Sequence, residues 1–289
     1  MDAWVFFGGG SRIFLMLGYL QGGLNGKPLP KRFYGTSAGA LLASLIAFLG
    51  IEKATELIMS IVSANQIFPV KDVPAIVGDE IFRNRPGLAT YKPLLALIQN
   101  NIKGTPSLRV TIKRTLFKTG APQYVTAMPD GSFITEGDQS TVITDLAGFQ
   151  DALCSSCINA GAVDAFQDSK DNFWIDGGYN DLGDTSKAIA DGAKDITLLM
   201  TGQFSDPALN NQSGDVISSI IDGYSILVHR VMRADVLLAV KNPDVTVTIY
   251  EATPVGSSSA FVPKDDATNL DMGKATISID GKTLITASA

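Results

Sequence analysis

The sequence has few of the residues that build metal sites and disulfide frameworks. Its 289 residues include one histidine and two cysteines. A single histidine excludes most zinc sites unless cysteines and carboxylates replace the missing ligands. The two cysteines, Cys154 and Cys157, cannot form a disulfide framework, and we interpret them as small packed residues rather than a redox motif. We therefore predict neither a metal ion nor a cofactor.

Basic residues and long apolar runs are also scarce. Lysine and arginine total 23 against 29 acidic residues, a net charge of −6, so we expect no nucleic-acid partner. The longest apolar run, from Ala38 to Ile51, is shorter than the roughly 20 residues that cross a bilayer. No basic segment precedes the first apolar residues, as a signal peptide would require. We expect a soluble, cytoplasmic protein.

Apolar residues are abundant, at 45% of the chain, and they predict an α/β fold. The short apolar segment Ala3–Phe7 indicates a buried strand, and residues 31–34 are predicted to form a second short strand. Each is followed by glycine and then by an apolar helix, Ile13–Leu24 or Ala38–Leu49. This alternation favours a mostly parallel central sheet with helices on both faces, a three-layer α/β/α arrangement.

The rest of the chain predicts further elements and leaves two segments open to interpretation. Helices are predicted over Glu52–Ser63, Leu94–Ile102 and Val216–Val240, and strands over Gln123–Met128, Gly131–Ile134, Phe173–Ile175, Ile196–Met200 and Val245–Tyr250. Gln66–Pro93 lacks periodicity and is either a hydrophobic lid or membrane-contact surface, or an ordinary cover over the core. Arg109, Lys113, Arg114 and Lys118 are interpreted as a solvated face, with contact to lipid headgroups as the alternative.

The strongest chemical signal is Gly35-Thr36-Ser37-Ala38-Gly39, a G-x-S-x-G between a predicted strand and a predicted helix. This is the setting of a nucleophile elbow, where serine lies on a strained turn and the flanking glycines let strand and helix approach. The N-terminus of the following helix favours negative charge at the serine.

Two glycine-rich segments accompany the elbow. Gly8-Gly9-Gly10-Ser11-Arg12 follows the first strand, where backbone N–H groups can converge on an oxyanion or a phosphate. It lacks the pattern of a dinucleotide-binding loop. Asp176-Gly177-Gly178 follows the predicted strand Phe173–Ile175, so the carboxylate is held near backbone. Taken alone, that segment is most simply a turn.

A serine nucleophile needs a base, and the single histidine is badly placed for that task. His229 falls on a polar stripe of the predicted helix Val216–Val240, together with Asp222 and Arg233. We interpret it as a solvated residue, which disfavours a Ser-His-Asp triad. An aspartate base remains, although its ordinary pKa near 3.9 makes it weak unless burial raises it.

The three motifs, in this order, resemble the patatin-like phospholipase family. The family carries a G-G-G-x-[R/K]-G loop, a G-x-S-x-G elbow and a D-G-[G/A] segment. The resemblance extends from about Ala3 to Met200 and includes Gly87–Leu94, Asp151–Ile158 and Ala188–Met200. Four residues depart from the family pattern, namely Ile13 after the basic residue of the loop, Asn159, Leu182 and Asp184.

The resemblance implies a patatin-like fold and a Ser-Asp dyad that works without histidine. It makes Ser37 the nucleophile, Asp176 the base, and Gly8, Gly9 and Gly10 with Arg12 the oxyanion hole. Gly35 and Gly39 then belong to the elbow, and Gly177 and Gly178 support the base. The catalytic domain is expected over residues 1–205, with 206–289 as a C-terminal extension packed on it.

The implied function is hydrolysis of carboxylic esters in phospholipids or other acyl lipids, with transient contact to membrane surfaces. Phospholipase A and lysophospholipase types both fit. Three alternatives stay open: a catalytically silent binding or structural protein on the same fold, a serine esterase acting on other substrates, and a hydrolase that does use His229.

Overall fold

The computed structural model describes residues 2–61, 64–69, 87–159, 161–202, 204, 232–255 and 263–281. Their strands are β1 Ala3–Phe6, β2 Arg32–Thr36, β3 Gly87–Ala89, β4 Arg109–Leu116, β5 Pro122–Ala127, β6 Phe133–Gly137, β7 Gly161–Val163, β8 Phe166–Gln167, β9 Phe173–Asp176, β10 Asp195–Leu199, β11 Thr246–Tyr250 and β12 Ile279–Asp280. Their α-helices are α1 Ile13–Gln21, α2 Ala38–Leu49, α3 Ile51–Met59, α4 Ala64–Ile67, α5 Lys92–Asn101, α6 Leu146–Ser156, α7 Thr185–Ala190, α8 over 232–241 and α9 Pro263–Ala275. Short 3-10 turns, Gly10–Arg12 and Gly177–Tyr179, come after β1 and β9.

Five parallel strands form the centre of a ten-stranded mixed sheet. The main order is β12-β11-β10-β1-β2-β4-β5-β6. Strands β11, β10, β1, β2 and β4 run parallel, while β12, β5 and β6 pair antiparallel toward the edges. Because parallel strands end at one edge of a sheet, the turns that follow β1 and β2 lie side by side.

Helices cover both faces of this sheet. Successive side chains of a strand point to opposite faces, and on each face they pack into an apolar core. In β1, Trp4 and Phe6 join a core shared with α1, α2 and α6. Ala3 and Val5 point to the other face and join a core shared with α7 and α8. The predicted three-layer α/β/α fold with a mostly parallel sheet is therefore confirmed.

Strand β9 enters the sheet where β2 leaves it. Strand β4 pairs with β2 as far as Thr36, which lies opposite Lys113. From Arg114 onward the same edge of β4 pairs instead with β9, antiparallel, and Arg114 lies opposite Asp176. The opposite edge of β4 is occupied by β5 throughout. The last residue of β9 consequently faces the turn that follows Thr36.

The C-terminal elements share the same sheet and the same helix layer. Strands β11 and β12 extend the sheet beyond β10. Helix α9 crosses α1 at two glycines, and a Cβ added to Gly18 would lie 2.6 Å from the Cα of Gly273. The predicted boundary between 205 and 206 falls outside the described residues, so the division into two units stays a prediction.

Strand β4 corrects the interpretation of the basic residues between 109 and 118. Lys113 is 0% exposed and Arg114 is 1% exposed, so neither belongs to a solvated or headgroup-binding face. The Arg114 guanidinium lies 3.7 Å from the centre of the Trp174 ring and donates to the side-chain oxygen of Gln123 at 2.8 Å. The β-branched residues on either side of Lys113 and Arg114 favour a strand, but the positive charges suggested a solvated face instead.

Most other predicted elements differ from the structure only at their ends. Helix α2 has the predicted bounds, whereas α3 ends at Met59 rather than Ser63, and α5 begins at Lys92 rather than Leu94. The strand predicted from Gly131 occupies Phe133–Gly137. Residues 70–86, most of the aperiodic segment, and residues 216–231 of the predicted last helix, with His229, lie outside the described residues.

Candidate active site

Ser37 lies on a strained turn between β2 and α2. Its backbone has φ 56° and ψ −129°, a conformation that costs a non-glycine residue on the order of 1–3 kcal/mol. Glycines on either side make the turn sterically feasible. A Cβ on Gly39 would lie 2.2 Å from the carbonyl oxygen of Phe6, and one on Gly35 would lie 2.6 Å from that of Gly39. The structure thus has the geometry of a nucleophile elbow at the position predicted for it.

The side chains of Ser37 and Asp176 are hydrogen-bonded to each other. Ser37 Oγ donates to Oδ2 of Asp176 at 2.6 Å, and only 9% of Ser37 is exposed. The second carboxylate oxygen, Oδ1, accepts the backbone N–H of Gly178 at 2.6 Å. Ser37 follows the parallel strand β2, and Asp176 is the last residue of the antiparallel strand β9. The ends of these two strands therefore bring the hydroxyl and the carboxylate into contact.

Burial raises the pKa of Asp176 to about 6. The hydrogen bonds from Ser37 and Gly178 and the positive charge of Lys113 oppose this shift but do not cancel it. A general base is most effective when its pKa lies near the working pH. The environment therefore changes Asp176 from a weak base into one that can accept a serine proton while still being ionised at neutral pH.

The end of helix α6 holds the backbone of Ser37. Its N–H donates to Oγ of Ser156 at 3.1 Å, and its carbonyl oxygen accepts from the Cys157 thiol at 3.2 Å. Burial raises the pKa of the Cys157 thiol well above its usual range. Sequence reasoning missed both contacts, and its only signal was the C-S-S-C spacing, which does not identify a partner 120 residues away.

The glycine loop after β1 lies against the elbow. A Cβ on Gly8 would lie 3.1 Å from the Cβ of Ser37, and one on Gly9 would lie 2.5 Å from Oγ1 of Thr201. Gly8 donates its N–H to the carbonyl oxygen of Leu182 at 2.8 Å. The N–H groups of Gly9 and Gly10, by contrast, have no acceptor among the residues that the structure describes.

Two positively charged features belong to the predicted site, namely the Arg12 guanidinium and the N-terminus of α2. Arg12 ends the 3-10 turn that contains Gly10; its Nε is buried without a partner in the described part of the chain, and burial lowers its pKa. Helix α2 begins at Ala38, so its N-terminus adjoins Ser37. The positive end of the α2 dipole favours negative charge that develops on a group bound at Ser37.

The two glycines after Asp176 permit a close approach to β4. A Cβ on Gly177 would lie 2.4 Å from the carbonyl oxygen of Lys113, and one on Gly178 would lie 3.0 Å from Oδ1 of Asp176. The structure thus brings together the predicted residues of the elbow, the glycine loop and the Asp176 segment. The described ranges contain no cluster of histidine, cysteine and carboxylate side chains suited to a metal ion.

Comparison with known proteins identifies a family and distant structural likenesses. A family model described as patatin-like phospholipase matches residues 5–183, more than half of the chain. The crystal structure of VipD from Legionella pneumophila is similar, with a TM-score of 0.42 and 12% sequence identity over 99% of this chain and 66% of that chain. The present chain thus spans about two thirds of the length of the VipD chain. No curated protein matches the sequence.

Proposed function

The chain belongs to the patatin-like phospholipase family, and on that premise we propose that it hydrolyses carboxylic esters of phospholipids, as a phospholipase A or lysophospholipase. The observation that carries the proposal is the 2.6 Å hydrogen bond from Ser37 Oγ to Asp176 on a strained elbow. A serine acyl hydrolase needs a serine oxygen next to a base, and this pair supplies both. Backbone strain at such a residue is typical of a functional site.

The first half of the reaction acylates Ser37. Asp176 Oδ2 accepts the Oγ proton while Oγ attacks the ester carbonyl carbon. The tetrahedral intermediate carries an oxyanion, which we assign to the N–H groups of Gly9 and Gly10. Each such donor is worth roughly 10²–10³ in rate. The alcohol then leaves with the proton from Asp176, and the acyl group stays on Ser37.

The second half releases the fatty acid. A water molecule gives its proton to Asp176 and attacks the acyl carbon, and Ser37 Oγ leaves with that proton. Gly8 has its N–H bonded to Leu182, so we assign it the placement of the loop rather than oxyanion binding. The Arg12 charge adds to the field at the oxyanion.

Substrate in a bilayer requires contact between this edge of the sheet and lipid, which we propose to be transient. Two large side chains are exposed there: Phe117, just after β4, at 52%, and Tyr179, just after Asp176, at 37%. Exposed aromatic rings suit the interface between headgroups and acyl chains. No helix among the described residues is long and apolar enough to cross a bilayer.

The test is hydrolysis of a phospholipid and lysophospholipid panel by the wild type, Ser37→Ala and Ser44→Ala. Ser44 lies inside α2, seven residues after Ser37, and is fully buried; it is the matched control. We expect fatty acid release by the wild type and Ser44→Ala, and none by Ser37→Ala. Hydrolysis of soluble esters alone would favour a non-lipid esterase. A folded wild type that cleaves neither class would favour a silent binding protein.

A further inference from the structure

Lys113 is a buried lysine whose ammonium group contacts three oxygen atoms. Its side chain is 0% exposed, and Nζ lies 2.7 Å from Oδ1 of Asp181, 3.0 Å from the Asp181 carbonyl oxygen and 2.9 Å from Oδ1 of Asp184. Burial by itself lowers the pKa of Lys113, but the carboxylates of Asp184 and Asp181 outweigh it and raise that pKa above its usual range. The group is therefore a charged ammonium that donates two hydrogen bonds to Asp181 and forms an ion pair with Asp184.

The carboxylates that hold Lys113 belong to a short segment, residues 181–184, that also contacts the elbow and the glycine loop. Asp184 Oδ2 accepts from the hydroxyl of Thr36, the residue before Ser37, at 2.9 Å. The Leu182 carbonyl oxygen accepts from the N–H of Gly8 at 2.8 Å. Since Asp176 lies five residues before Asp181, one segment connects all three parts of the candidate site.

We propose that Lys113, Asp181, Asp184 and Thr36 form a positioning cluster that fixes the Asp176 segment against the nucleophile elbow. The proposal rests on the proposed function and deepens it. These four side chains hold the elements that carry the reacting groups, whereas the reacting atoms belong to Ser37 and Asp176. Lys113 lies opposite Thr36 in the sheet register. Its ion pairs with Asp181 and Asp184 therefore stabilise the position along β4 where pairing with β2 ends and pairing with β9 begins.

Two physical effects follow from this cluster. The first is geometric, because a displacement of about 1 Å between a nucleophile and its base can cost on the order of 10²-fold in rate. The second is electrostatic, because the charge of Lys113 lowers the pKa of Asp176 against the effect of burial. Besides Asp181 and Asp184, the groups that face Lys113 are Tyr124 of β5 and Asp235 of α8.

The first test removes one hydroxyl of the cluster. Thr36→Val keeps the side-chain shape and deletes the donor to Asp184. We expect kcat toward a soluble ester to fall about tenfold with unchanged KM, as expected for loss of a hydrogen bond to a charged group. Thr36→Ser restores the donor and is expected to restore kcat. Thr111→Val removes a buried hydrogen bond between β4 and Thr126 of β5; it is the matched control and is expected to keep wild-type kcat.

The second test removes the charge. Lys113→Met is expected to lower kcat and to move the acid limb of the pH–rate profile to higher pH, because Asp176 loses a stabilising cation. Lys103→Met, at an exposed lysine, is expected to keep the wild-type profile. If Lys113→Met does not fold, the Thr36 variants carry the test.

The two proposals fail in different ways. Wild-type kcat and an unshifted profile in folded Thr36→Val and Lys113→Met would overturn the positioning cluster, while an inactive Ser37→Ala would leave the proposed function standing. An active Ser37→Ala would overturn the proposed function itself.

Discussion

Lowering the pH through 6 is expected to slow acylation of Ser37 in proportion to protonation of Asp176. The base accepts the serine proton only as a carboxylate, and burial raises the pKa of Asp176 to about 6. Activity is therefore present above the pKa of Asp176 and is lost as the pH falls through that value. The acid limb is expected to have a slope of one in a plot of log rate against pH.

The size of the change in labelling rate distinguishes an Asp176 with a raised pKa from an aspartate with the ordinary pKa. With a pKa of about 6, roughly 90% of Asp176 is ionised at pH 7 and roughly 10% at pH 5. The labelling rate is then expected to fall about ninefold between these pH values. An aspartate at the ordinary pKa near 3.9 would stay about 90% ionised at pH 5 and would change the rate very little.

The assay is the second-order rate of labelling by a soluble fluorophosphonate, measured from pH 4.5 to pH 8. A soluble probe avoids the pH dependence of lipid surfaces, and circular dichroism at each pH monitors folding. A rate that is the same at pH 5 and pH 7 in the folded protein would refute the assignment of Asp176 as a base with a raised pKa.

Three further substitutions test the buried charge of Asp176 and two close backbone contacts made by glycines. Asp176→Asn is expected to stabilise the protein at pH 7.5 by about 1–3 kcal/mol in urea unfolding, because the raised pKa of Asp176 means that its buried carboxylate destabilises the fold above pH 6. This gain in unfolding free energy is expected to decrease between pH 6 and pH 4 and to vanish below the pKa of the unfolded state. Gly39→Ala is expected to lower the free energy of unfolding by about 1–3 kcal/mol, since the new Cβ would meet the backbone of Phe6. Gly18→Ala is expected to have a similar cost, seen as a lower Tm, since its Cβ would lie 2.3 Å from the Leu270 carbonyl oxygen.

The elbow was predictable because its signals are local. The buried strand before Gly8 is a short apolar run, and Gly50 ends helix α2 at the predicted residue. Glycine on both sides of Ser37 is required by contacts within a few residues and with the adjacent strand. Such patterns need no knowledge of distant partners.

The supporting contacts were not predictable, because each depends on a partner far along the chain. Lys113 in isolation looks like a surface lysine, and only the carboxylates of Asp181 and Asp184, about 70 residues later, make its burial stable. Ser156 reaches the N–H of Ser37 only after α6 has packed beside the elbow.

The central claim is that Ser37 is the nucleophile and Asp176 its base. The most direct measurement is mass spectrometry of the intact protein and its peptides after fluorophosphonate labelling, for the wild type and Asp176→Asn. We expect one adduct per wild-type chain, on Ser37, and a labelling rate at least about 10²-fold lower in Asp176→Asn, the range that a general base contributes. An adduct on another residue, or labelling of Asp176→Asn at the wild-type rate, would contradict the claim.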